Sequence, residues 1–93
     1  MNISLDFDNT YTRDPDGWDT FIKVMRYRGH KVYCVTMRYE SEGEIVIKML
    51  SSKVDQIFFT DRQAKESFMY NEGIRIDVWI DDTPALILHD ASS

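Results

Sequence analysis

Apolar residues follow two alternating rhythms along this chain. One is the short, nearly unbroken run: "NISLDF" near the start, then "KVYCVT", "QIFFT" and "IDVWI". These runs are rich in β-branched and aromatic residues and too short for buried helices, so each predicts a strand. The other rhythm is helical. Trp18, Phe21, Ile22 and Met25 recur at i, i+3, i+4 and i+7, one face of a helix that should stop near Gly29. "SEGE" at Ser41–Glu44 has the form of a capping box, opening a helix with Ile45, Val46, Met49 and Leu50 inward. "TDRQ" at Thr60–Gln63 offers a second box, before a helix that should close at Gly73. Thr83 before Pro84 suits an N-cap and first helical position for a short last helix, "PALILHD". "DPDG" reads as a turn, which assigns Arg13, Asp14 and Asp16 to a loop.

Strand and helix alternate strictly. That pattern predicts an α/β fold, a parallel four-stranded sheet with helices on its faces. Near-continuous apolar strands fit a sheet covered on both sides. In such sheets ligands bind beyond the carboxyl ends of the strands.

Composition narrows the picture. Ninety-three residues, 43% apolar and 13% aromatic, suffice for one domain with a real core. A net charge of −5 gives no footprint for sequence-independent nucleic-acid binding, so nucleic acid enters only as a substrate. Cys34 is the single cysteine, which rules out an intrachain disulfide, and within "KVYCVT" it reads as a small core residue. No apolar stretch reaches membrane-spanning length, and the N-terminus lacks a charged segment followed by an apolar one. The expectation is a soluble, cytoplasmic protein with no membrane partner.

The residues at the predicted strand ends carry the chemistry. Asp6 and Asp8 lie two apart where the first strand runs out, so they project to the same side. Two carboxylates on one side repel unless a cation or a shared proton separates them. Thr36 ends the second strand, with Arg38 just beyond, and Asp81 and Asp82 end the fourth. Lys65 lies in the helix feeding that fourth strand. Carboxylate oxygens are hard ligands, so Mg²⁺ is the natural guest.

These residues resemble the haloacid dehalogenase superfamily, whose members are mostly phosphatases. "DFDNT" is similar to its first motif, "VYCVT" to the second, Lys65 to the third and "VWIDDTP" to the fourth. The order agrees along nearly the whole chain. Tyr11 departs from the small aliphatic residue more usual in the family, and the stretches from Asp8 to Thr36 and from Lys65 to Asp81 leave no room for a cap domain. The resemblance implies a capless, three-layer α/β/α Rossmann-like core with sheet order 4-1-2-3. It implies a Mg²⁺-dependent phosphohydrolase with Asp6 as nucleophile and Asp8 as general acid, whose backbone carbonyl also ligates the metal. Asp82 would be a direct metal ligand and Asp81 an outer one, with Asp6 completing the set. Thr36 and Lys65 would hold the transferring phosphoryl oxygens, with backbone N–H groups around Phe7 and Asp8 as further donors.

Some positions have a plainer reading. Lys65 lies four residues after Asp61, which suits a surface ion pair, and Lys48 and Lys53 should face solvent. Arg38 could clamp a substrate phosphate or simply pair with Glu40. His30 and His89 show no metal-ligand pattern and read as surface or helix-end residues. Two other functions compete. A receiver-like signalling domain also combines acids, Thr, Lys and Mg²⁺ on a parallel sheet, but its paired acids follow the first strand, whereas here the pair follows the fourth. The second is a regulatory phospho-ligand-binding protein on the same fold, without catalysis. An uncapped edge would admit a phosphorylated small molecule or macromolecule, unless a second copy of the chain covered it as a homo-oligomer.

Overall fold

A computed structural model describes residues 1–92. The strands are β1 (Asn2–Leu5), β2 (Lys31–Thr36), β3 (Gln56–Phe59) and β4 (Val78–Ile80). The α-helices are α1 (Pro15–Tyr27), α2 (Glu44–Leu50), α3 (Lys65–Asn71) and α4 (Ala85–Leu88), with single 3-10 turns at Tyr11–Arg13 and Glu40–Glu42. All pairings are parallel and the order is β3-β2-β1-β4, the expected 4-1-2-3 read from the other edge.

Alternation along the strands divides the core between two faces. Ile3, Leu5, Val32 and Cys34 pack with Ile22 of α1 and with Val46 and Leu50 of α2. Val35 and Phe58 point the other way and pack with Met69 of α3. Both sheet faces are therefore covered, which is why the strands read as apolar runs rather than alternating ones. Cys34 is fully buried, and burial pushes its thiol up to about 12.

The topology decides where a site can form. The chain steps from β1 to β2 to β3 with α1 and α2 on one face. It then returns past β1 to lay down β4, with α3 on the opposite face. Crossovers of one hand running in opposite directions along a sheet place their helices on opposite faces. Beyond the carboxyl ends of β1 and β4 the two connections diverge, and a crevice opens between them.

Several local expectations are corrected. "DPDG" is a helix start: Pro15 is the first residue of α1, and the Asp14 side chain accepts the Gly17 N–H at 3.2 Å. The expected box at Ser41 does not form; the Tyr39 N–H donates to Glu42 Oε1 at 3.0 Å, closing a 3-10 turn before α2 begins at Glu44. Ile45 faces solvent rather than the core. The second box gives way to a loop in which Asp61 and Arg62 have positive φ and the Thr60 hydroxyl donates to the Gln63 carbonyl at 2.9 Å. At the start of α3, Asp90 receives the Ala64 N–H at 2.7 Å, a partner from far along the chain. Thr83 makes no side-chain cap; its hydroxyl turns back to Asp82 Oδ2 at 3.3 Å. Gly29 and Gly73 follow their helices with φ of 90° and 78°, the left-handed conformation a helix stop favours in glycine.

Candidate functional site at the carboxyl ends of β1 and β4

Asp6 is the first residue past β1, and its N–H pairs with the Ile80 carbonyl of β4 at 2.9 Å. The side chain is thereby fixed in the crevice, 6% exposed. The chain then turns sharply. Asn9 takes a φ of 62°, a left-handed conformation that asparagine tolerates better than most residues. The turn brings Thr10 back over Asp6, and its hydroxyl donates to Asp6 Oδ2 at 3.0 Å. The same hydroxyl accepts the Asp82 N–H at 3.2 Å, so Thr10 ties the ends of β1 and β4 together. Thr10 stands within "DFDNT", yet its tying role depends on Asp82, a residue distant in sequence that only the fold brings near.

Lys65, the first residue of α3, does not face solvent. It is 2% exposed, and its ammonium bridges Asp6 Oδ1 at 2.8 Å and Asp81 Oδ2 at 2.6 Å. Burial alone would pull its pKa down. The charge of Asp6 and hydrogen bonds to Asp6 and Asp81 outweigh burial and hold it above the usual lysine value. Lys53 is also paired rather than free, donating to the Tyr11 hydroxyl at 3.2 Å and to Asp19 at 2.8 Å. That pairing gives the fully buried Tyr11 hydroxyl its partners. Lys48 is exposed, as expected.

Asp6, Asp81 and Asp82 offer oxygens that all lie within 4.8 Å of one another. One ammonium against three carboxylates leaves two negative charges uncompensated. Protonation of Asp6 absorbs one of the two in the protein without a cation, and the other stays on the exposed Asp82. Desolvation pushes the Asp6 carboxyl up to about 7, although Lys65 pulls the other way. A hydrogen bond from Asp6 in turn holds Asp82 below the usual carboxylate range. A divalent cation would cancel the two surplus charges without a proton, and three hard oxygen donors suit Mg²⁺. The residues therefore fit such an ion.

Asp8 and Arg38 complete the edge. Asp8 is half-exposed and lies outside the three-carboxylate cluster, but it lines the same cavity of about 150 Å³ as Asp6, Thr36, Lys65, Asp81 and Asp82. Arg38 does not pair with Glu40. Its Nε donates to Asp8 Oδ2 at 3.0 Å, and its Nη2 donates to Asp8 Oδ1 at 2.8 Å, a two-pronged fork. The third guanidinium nitrogen, Nη1, donates to the Glu42 carbonyl at 2.7 Å. So the repulsion expected between Asp6 and Asp8 is met by a separate cation for each. Thr36 is buried, and its hydroxyl accepts the Arg38 N–H at 3.3 Å, shaping the loop that carries Arg38.

A larger groove of about 540 Å³ lies between α1 and the segment after α2; of its cations, Arg26 and Lys53 are already paired with Asp55 and Asp19, and Lys23 is exposed. Among the described residues, no helix is long and apolar enough to cross a membrane. Comparisons of the chain with protein-family models, with curated proteins and with solved structures find no match in any of the three.

Proposed function

We propose that this protein is a Mg²⁺-dependent phosphomonoesterase of the haloacid dehalogenase type, acting through an aspartyl-phosphate on Asp6. The observation that carries the reading is the buried Lys65 bridging Asp6 and Asp81 inside a three-carboxylate cluster. An ion pair of this depth is costly for stability alone, and its place at the mouth of the sheet favours chemistry. The resemblance of "DFDNT", "VYCVT" and "VWIDDTP" to the superfamily's motifs supports the same reading.

The roles follow from placement. An Asp6 oxygen attacks phosphorus and the ester oxygen leaves, taking a proton from Asp8. Water then attacks the aspartyl-phosphate, Asp8 takes a proton from that water, and phosphate departs with Asp6 restored. Lys65 holds Asp6 in place and faces the transferring phosphoryl oxygens, and Thr36 lines the same cavity. Thr10 keeps Asp6 and Asp82 in register. Asp6, Asp82 and the Asp8 backbone carbonyl would hold Mg²⁺, with Asp81 outside them. When bound, the ion supplies positive charge against the phosphoryl oxygens.

One observation favours a second reading, a regulatory phospho-ligand-binding protein without turnover. Both Asp8 oxygens accept from Arg38, so neither is free to meet a leaving oxygen until the fork opens. Hydrolysis of an aryl phosphate separates the two. Turnover should vanish in EDTA, return with Mg²⁺, and be absent from a folded Asp6→Asn variant. Asp8→Asn should lose about 10²–10⁴-fold. Undiminished activity in chelator would overturn the metal-dependent reading, and tight phosphate binding without turnover would establish the regulatory one.

A further inference from the structure

Arg38 is built to let go of Asp8 without losing its place. Its Nη1 is anchored on the Glu42 carbonyl, and its guanidinium lies 5.4 Å from the centre of the Phe7 ring. Neither contact involves Asp8. The fork on Asp8 uses the remaining two nitrogens, Nε and Nη2, and it opens into the cavity lined by Asp6, Thr36 and Lys65. A phosphate presents two oxygens to a guanidinium in the same planar geometry as a carboxylate, and carries more charge. The pair is also only partly buried, 27% exposed at the Arg38 side chain and 48% at Asp8, so an incoming anion can reach it.

We propose that Arg38 is a substrate-operated latch: an entering phosphoryl group displaces Asp8 from the Arg38 fork, and the displacement frees the Asp8 carboxylate for the reaction. This rests on the phosphatase reading for its consequence, but the exchange itself is a binding event independent of turnover. In the resting protein Asp8 is tied, so its carboxyl group can turn toward the reacting oxygens only when phosphate occupies the site. Arg38 thus serves as both phosphate ligand and gate. Glu42 keeps the guanidinium at the cavity mouth throughout.

The test uses inorganic phosphate as the probe and reads binding rather than activity. In the wild-type protein the Arg38 Nε–H and Asp8 carboxyl NMR signals should both shift on phosphate titration, with one shared midpoint. Arg38→Gln should weaken phosphate binding at least about tenfold, the loss expected when a charge-assisted hydrogen-bonding partner is removed. Asp8→Asn should tighten binding, because the competing anion is gone. In the Arg38→Gln background Asp8→Asn should have little effect, since there is no fork left to release. If Asp8→Asn tightens binding equally in both backgrounds, the effect is general electrostatics and the latch is wrong. Phosphate binding with no shift at Asp8 would also overturn it. Should a variant fail to fold, the wild-type titration decides alone. Failure of the phosphatase reading would look different: the exchange would be seen, with no hydrolysis of any ester.

Discussion

At the scale of single residues, the decisive side chain is Lys65. It is buried against Asp6 and Asp81, so deleting it leaves two carboxylates facing each other out of water. Breaking a buried pair in this way costs about 3–5 kcal/mol. Lys65→Ala should therefore lose stability on that scale in urea unfolding and lose turnover as well, whereas Lys48→Ala, at an exposed position, should change either little. Equal small effects would make Lys65 an ordinary surface residue. Asp6 adds a pH signature to the metal-free protein. Its carboxyl keeps a proton up to about 7 in the folded state, against an ordinary value of 3.8. Between those values the folded protein holds more protons than the unfolded chain. The associated stability is complete below 3.8 and is lost as pH rises through about 7. Unfolding in EDTA across that range should show stability falling with pH, and Asp6→Asn should flatten the slope. Mg²⁺ should restore more stability at pH values above this window than below it. A slope unchanged in Asp6→Asn would place the titration elsewhere.

At the scale of elements, α2 shows how tightly the connections are fitted. Gly43 precedes the helix, and a Cβ there would run into the Phe59 ring and lie 3.0 Å from the Glu40 carbonyl. The position needs glycine for lack of space rather than for its φ, which is an ordinary −95°. Gly43→Ala should destabilise by about 1–3 kcal/mol, the usual range for overpacking. Phe59→Leu should recover part of that loss in the double variant, measured by chemical unfolding. If the two changes simply add, the clash with Phe59 is not the cause. The helix starts also show what local patterns miss. The "TDRQ" box competes with a turn that Asp61 and Arg62 complete at positive φ, and Asp90 supplies the N–H acceptor for α3 instead. "DPDG" contained the right signal, Asp before Pro at a helix start, but a turn uses the same residues.

At the scale of the whole molecule, the candidate site is open. The connections after β1, β2 and β3 each lead through a short turn directly into a helix, and none contains a domain that could close over the edge. Asp82 is exposed and Asp8 half-exposed. Enzymes that act on small substrates commonly sequester them beneath a lid. An edge without one should discriminate poorly among small phosphate esters and admit a phosphorylated macromolecule. We expect kcat/KM, compared at one pH, to be higher for at least one phosphoprotein or nucleic-acid end than for sugar or nucleotide monophosphates. A strong preference for one small metabolite, shown by a protein that sediments as a monomer, would sink this expectation.

The fold class was legible because it rests on periodicity, which is local, and on the alternation of strand and helix; alternation leaves several parallel topologies open, and the sheet order came only with the resemblance to the haloacid dehalogenase superfamily. Asp6, Asp81 and Asp82 were legible as candidates because each stands at a strand's end, where a parallel sheet presents its ligands, whereas Lys65 was singled out only by the resemblance to the superfamily's third motif. Only the tertiary structure decided which charges meet. Lys65 could have paired with Asp61 four residues away, but the turn before α3 points it inward to Asp6. Arg38 could have taken Glu40, but the loop shaped by Thr36 sets its fork on Asp8. Such pairings join residues distant in sequence, and an ionic contact carries no periodic trace in the chain. The partner of a charge is chosen by which neighbours share its desolvated space, and that space exists only once the sheet has formed.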